Sequence, residues 1–299
     1  MNNVPRKESS RSWANASLAL AGCLWGTGFL FGKIAFQEMT VAENVSFRFA
    51  FASLILIPIL MRRRFRFRGN DFWMLLAISL IGVPIQFLMQ FQGLKLTTVS
   101  HASLIVGTLP VLIAISSAAL LHERLNFVEW ATLLLSPLGV LLIALSSRHA
   151  GSAGGASLQG DLLVLLSMVA STIMILLTKR LIRKYDSLEI TAWSLTIGSI
   201  MLLLWVELFH PLRFSFSGKA WAAAAAQGLL ATAGAYLCWN WGLSRVPASR
   251  AGVFLNLEPL VGTVLGVLIL HESLGPIAAV GGILILGPAI YFSTKKHEI

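Results

Sequence analysis

The chain has 299 residues, of which 56% are hydrophobic and 12% charged. Soluble globular domains carry roughly 25% charged residues, so this composition excludes an ordinary soluble enzyme, a disordered chain and a disulfide-rich scaffold, and leaves a polytopic membrane protein. The net charge of +10 would suggest nucleic acid in a soluble protein, but here the basic residues cluster between apolar runs and point to orientation in a bilayer.

Residues 1–12 are polar and basic, and predict a cytoplasmic tail. Apolar runs follow at 13–36, 44–61, 72–93, 98–121, 127–146, 158–181, 187–209, 217–242, 247–270 and 276–294. About 20 apolar residues cross a hydrocarbon core of about 30 Å, so each run predicts one transmembrane helix. The first is too long for a signal-peptide core. The breaks between runs 3 and 4 and between runs 8 and 9 rest on Thr97-Thr98 and on Val246-Pro247-Ala248-Ser249, which leaves nine spans as the rival count. Cys23 and Cys238 both fall inside apolar runs and predict neither a disulfide framework nor a metal site.

With ten spans and a cytoplasmic N-terminus, 17 of the 23 Lys and Arg residues fall in cytoplasmic segments. Only Lys95, Arg148, Arg213 and Lys219 fall outside, and Lys33 and Arg48 lie within spans. Cytoplasmic loops are enriched in positive charge, so this bias predicts both termini inside.

The chain repeats. Residues 91–125 align without gaps on 240–274 at an offset of 149, with identities that include Gly93/Gly242, Ser100/Ser249, Pro110/Pro259, His122/His271 and Glu123/Glu272. Two halves of five spans each imply that the second enters the membrane upside down. Inverted repeats are a transporter architecture, with the binding site near the midplane at the repeat interface. The Gly/Ser-rich residues 148–157 read as the linker.

Several residues could carry chemistry. Pro110 and Pro259 occupy matching mid-span positions, where a proline frees the carbonyl four residues earlier, here Val106 and Leu255. Glu258 is an intramembrane acid, which is costly unless it is paired, protonated or in a wet cavity. It could bind a proton or a solute amine, or hydrogen-bond the backbone freed by Pro259. Lys33 and Arg48 should lie near the outer ends of their spans, either snorkelling to the headgroups or acting as a gate. Trp25, Gln86, Gln90, Tyr236, Trp239, Asn240 and Asn256 are candidates to line a polar and aromatic cavity, the alternatives being aromatic belt and interhelical hydrogen bonds. Gly22, Gly26, Gly28 and Gly32 form a small-residue stripe suited to close helix packing. His122-Glu123 and His271-Glu272 lack a second histidine four residues on, so neither is a zinc-protease motif. They read as helix-start or gate elements. No GxxxxGK[ST] phosphate loop is present, and no enzyme motif or cofactor site is expected.

The motifs Leu24-Trp25-Gly26-Thr27-Gly28-Phe29 with Lys33, Phe47-Arg48-Phe49, His122-Glu123, Arg245-Val246-Pro247-Ala248-Ser249, Asn256-Leu257-Glu258-Pro259-Leu260 and His271-Glu272-Ser273-Leu274 together resemble the EamA-type branch of the drug/metabolite transporter superfamily. The likeness runs from about residue 13 to 294. It implies an all-α integral membrane fold of ten transmembrane helices in two inverted five-helix repeats, 13–147 and 158–294, with tails at 1–12 and 295–299. It also implies a multi-pass inner-membrane protein that exports amino acids or related small metabolites, and a cavity lined from both halves; Glu258 makes protons the candidate coupling partner. Span 6 departs from the family pattern at Ala170-Ser171. An importer of small metabolites and an intramembrane lipid-modifying enzyme are the rival readings.

Overall fold

The computed structural model describes residues 5–62, 65–121, 156–182, 184–209, 211–243, 245 and 254–294, with 135, 138–139, 141–143 and 145. Among the described residues every regular element is a helix. In chain order these are α1 (Pro5–Ala35), α2 (Val41–Arg62), α3 (Asn70–Leu96), α4 (Val99–Val106), α5 (Leu109–Leu121), α6 (Leu158–Ile182), α7 (Ser187–Phe209), α8 (218–243), α9 (Leu257–Ile269) and α10 (Pro276–Thr294). Among the described residues, five helical stretches are long and apolar enough to cross a membrane: Ser12–Ala35, Val41–Arg62, Asn70–Leu96, Leu158–Ile182 and Ser187–Phe209. Large apolar side chains point outward, among them Leu54 at 60%, Leu204 at 62%, Leu268 at 68% and Ile283 at 70% exposure. Patches of this kind are unstable in water and ordinary against lipid.

Local sequence sets the helix starts. Thr40 and Glu43 form a reciprocal capping box at the head of α2, with Thr40 N–H donating to Glu43 Oε2 (2.7 Å) and Glu43 N–H to Thr40 Oγ1 (3.2 Å). Thr97 is extended and the Thr98 hydroxyl accepts from His101 N–H (3.1 Å). The Thr97-Thr98 dipeptide therefore separates α3 from α4, as its sequence predicts. The second questioned break, at 246–249, lies outside the described residues, as do His122-Glu123 and most of the run 127–146.

Two features depart from the sequence reading. Both α3 and α8 contain a π-helical turn, at Ile81–Ile85 and Leu229–Gly234, where the 149-residue offset carries one onto the other within a residue. The prolines, in addition, are not mid-helix kinks. The chain breaks at Gly107-Thr108 and around Asn256, so Pro110 is the second residue of α5 and Pro259 the third of α9. A proline costs nothing in a first helical turn, because its missing N–H would have no intrahelical partner there.

The major packings join the two halves of the sequence. The α1 helix runs along α8 and α9, and α6 runs along α3, α4 and α5; α2 packs on α7 and α8, α3 on α7, and α4 on α9. Exchanging the halves carries α1 on α8 onto α6 on α3, α1 on α9 onto α6 on α5, α2 on α8 onto α7 on α3, and α2 on α7 onto itself. The close approach of α1 to α9 depends on glycine: a Cβ on Gly26 would sit 2.8 Å from the Glu258 carbonyl oxygen and 2.8 Å from Val261 Cβ. The loops also sort by end. At one end Arg213 forks onto Glu43 (2.7 and 2.9 Å), and Ser217 N–H (2.7 Å) and its hydroxyl donate to Glu38, holding that carboxyl below its ordinary range. At the other, Lys184 pairs with Asp71 (2.9 Å), which raises the Lys184 pKa. Replacing Gly26 with Leu should cost about 1–3 kcal/mol by overpacking and lower the thermal midpoint of the detergent-purified protein. Gly218→Ala, with open space at its Cβ position, should leave the midpoint unchanged.

Candidate functional site

Arg48 stands two turns into α2 and is 3% exposed. It does not snorkel. Its guanidinium lies 4.5 Å from the Phe87 ring centroid and 5.0 Å from that of Phe91. Nε–H donates to Thr232 Oγ1 (2.6 Å) and Nη2–H to the Ala231 carbonyl (3.2 Å). Both acceptors belong to the π-helical turn of α8, where the altered ladder leaves backbone groups available to side chains. Thr232 Oγ1 in turn donates to the Gln227 carbonyl (3.0 Å).

Arg48 interacts electrostatically with Tyr236 and Glu258. These two residues sit deep within the protein and are partly accessible. The Trp25 ring meets Tyr236 edge-on at 5.4 Å and Trp239 at 5.4 Å with a tilt of 52°. This polar and aromatic cluster draws on α1, α2, α8 and the start of α9, so both halves contribute. Glu258 is in the first turn of α9, where the positive end of the helix dipole favours negative charge.

The other candidates divide. Gln86 and Gln90 are buried side by side on α3, at 5% and 4% exposure, and Gln86 Oε1 has no partner among the described residues. Asn240 turns to α7, where its amide donates to Thr191 Oγ1, an interhelical hydrogen bond. Asn256 occupies the break before α9 and is buried.

Lys33 belongs to a separate polar cluster at one end of the bundle. Its ammonium donates to the Thr97 carbonyl (2.5 Å) and is attracted by Glu272. Thr97 Oγ1 donates to Asp161 Oδ1 (2.6 Å), and Asp161 Oδ2 lies 3.3 Å from His101 Nδ1. Glu272 accepts from Val99 N–H, Ser100 N–H and Ser100 Oγ–H, each at 2.8 Å. A carboxylate of the second half thereby caps α4 of the first. His271 supplies the turn with a φ of 54°, a conformation uncommon for residues other than glycine. The expected helix-start role of His271-Glu272 at the following span is replaced by another: Glu272 engages the head of α4, not that of α10.

Sequence reasoning missed four contributors. Asp161, 1% exposed, lies inside the run 158–181, and the rule that singled out Glu258 applies to it equally. Thr232, Phe87 and Phe91 carried no signal, since hydroxyl and phenyl side chains are common in spans.

The sequence profile of the EamA-like transporter family matches twice, at residues 12–145 and 158–294. The chain belongs to the EamA-like transporter family. Relatives of this EamA-like protein include an uncharacterized transporter of Archaeoglobus fulgidus, 26% identical over 94% of this chain and 97% of its own. The uncharacterized transporter YetK of Bacillus subtilis is 27% identical over 95% and 88%. A probable biotin transporter of Pseudomonas aeruginosa is 29% identical over 92% and 96%. A solved crystal structure shares the fold at a TM-score of 0.66 and 24% identity, covering 92% of this chain and 96% of the other. This EamA-like protein is a multi-pass membrane transporter. Removing the Glu272 carboxylate in Glu272→Ala should leave buried donors of α4 unmet, a loss of about 1–3 kcal/mol. It should raise amide hydrogen exchange at Val99 and Ser100 while exchange in the centre of α7 stays as it was.

Proposed function

We propose that this EamA-like transporter is a secondary-active exporter of amino acids or related small metabolites, working by alternating access in the inner membrane. In this reading it has ten spans in two inverted repeats, 13–147 and 158–294, with both termini in the cytoplasm. The observation that supports it best is the cluster where the halves meet, which gathers one cation, one acid and three aromatic rings. The interchangeable packings and the paired π-helical turns fit a rocking of one repeat against the other.

The roles follow from the chemistry. Trp25, Trp239 and Tyr236 hold the apolar body of the solute. Gln86, Gln90 and Asn256 offer amides. Asn240 contacts solute only after leaving Thr191. The breaks preceding Pro110 and Pro259 let α4–α5 and α9 flex near the midplane. The cluster of Lys33, Thr97, Asp161, His101 and Glu272 closes the outer end, and it must open for release. Glu258 takes a proton or the solute amine. An ionised carboxylate at membrane depth costs a few kcal/mol unless compensated, and Arg48 supplies part of that compensation. Protonation and solute binding therefore compete for the same electrostatic balance.

Glu258→Gln keeps the shape and removes the charge. In proteoliposomes imposing a pH gradient, it should insert normally and lose the gradient-driven component of flux by at least tenfold. Flux that responds to the gradient as in the wild type would reject the proton role. Accumulation in inverted but not right-side-out vesicles is the expected sign of export.

A further inference from the structure

The Arg48 guanidinium is a flat group with two faces, a side edge and a tip. Phe87 and Phe91 lie against it at 4.5 and 5.0 Å. Its side edge, Nε and Nη2, is committed to Thr232 Oγ1 and the Ala231 carbonyl. A guanidinium has five N–H donors, and these bonds use two. The ion pairs among the described residues are His101–Asp161, Lys184–Asp71 and Arg213–Glu43, and none includes Arg48. What remains is the Nη1–Nη2 tip, two parallel N–H groups in the geometry that grips a carboxylate bidentately.

Glu258 does not supply that carboxylate. It acts on Arg48 through the electrostatic field and makes no direct ion pair among the described residues. A buried cation with an open fork, in the same cluster as Trp25, Tyr236, Trp239 and Glu258, is a recognition element waiting for an anion. We propose that the tip of Arg48 is the binding site for a carboxylate carried by the transported solute.

This rests on the transport reading above and deepens it. A carboxylate on Arg48 adds a second negative charge to a space that already holds Glu258. The balance is restored by a proton on Glu258 or by a cationic group of the solute placed beside it. A zwitterion with an apolar body satisfies all three parts of the wall at once: carboxylate to Arg48, ammonium toward Glu258, body against Trp25 and Trp239. Lysine at position 48 keeps the charge and loses the fork.

The test compares the medium of cells producing wild-type protein, Arg48→Lys, Arg48→Gln or no transporter by untargeted metabolite profiling, at matched membrane levels. The solutes enriched by the wild type should bear a carboxylate. Their export should fall at least tenfold in Arg48→Gln and less in Arg48→Lys. Should Arg48→Gln fail to reach the membrane, wild-type proteoliposomes supply the answer. Unlabelled solute should compete with its own labelled efflux, and its methyl ester should compete at least tenfold more weakly. Exported solutes without a carboxylate, full export by Arg48→Gln, or equal competition by the ester would each overturn the assignment while leaving transport intact. No solute enriched by the wild type would reject both the assignment and the exporter reading.

Discussion

Arg48 places a full positive charge inside a membrane-spanning helix and out of contact with any carboxylate among the described residues. Central charges in spans cost about 2.5–3.5 kcal/mol on insertion scales, and much of this structure is arranged to offset that cost. Two phenyl rings present their negative faces to the cation. The π-helical turn of α8 presents a carbonyl and a hydroxyl. For these acceptors to reach it, α2 and α8 must come close, and Gly228 permits this, since a Cβ there would strike the Arg48 backbone carbonyl and Phe51. One charge thus accounts for a glycine and for neighbours on α3, and it makes use of the π-helical turn of α8.

The same constraint sorts the rest of the polar residues. Polar groups in a span must find partners or line a space. Asn240 finds Thr191, Gln227 Nε2 finds the Gly28 carbonyl (2.7 Å), and Ser17 finds the Cys238 carbonyl (2.8 Å). Each of these bonds ties one half of the sequence to the other or α8 to its neighbour. At the Lys33 cluster the arrangement differs: Glu272 is engaged with the head of α4, and Asp161 is held between Thr97 and His101. Hydrogen bonds there lie beside packed apolar side chains, among them Leu94, Val99 and Ala102.

Much of the helical layout was legible in the sequence. The runs 158–181 and 187–209 coincide with α6 and α7 within a residue, and Thr97-Thr98 separates α3 from α4 through an ordinary side-chain cap. Glu258 was found because an acid in an apolar run is rare. The depth of Arg48 was not legible, because counting residues from a span's end gives axial height and not which way the side chain faces. The true position of the breaks was also hidden. Pro110 and Pro259 mark them, but the chain departs from the helix two or three residues earlier, at Gly107-Thr108 and Asn256, so that each proline falls in a first turn. The π-helical turns leave no composition signal, since one contains a proline and its counterpart does not.

The account stands on the closed end opening during turnover. Replacing Ser100 and Glu272, which are in contact here, with a pair of cysteines in a background lacking Cys23 and Cys238 allows that end to be bridged by a short bifunctional thiol reagent. Solute flux through proteoliposomes should stop when the bridge forms and return when it is reduced. Flux that continues at its original rate with the bridge intact would contradict the account.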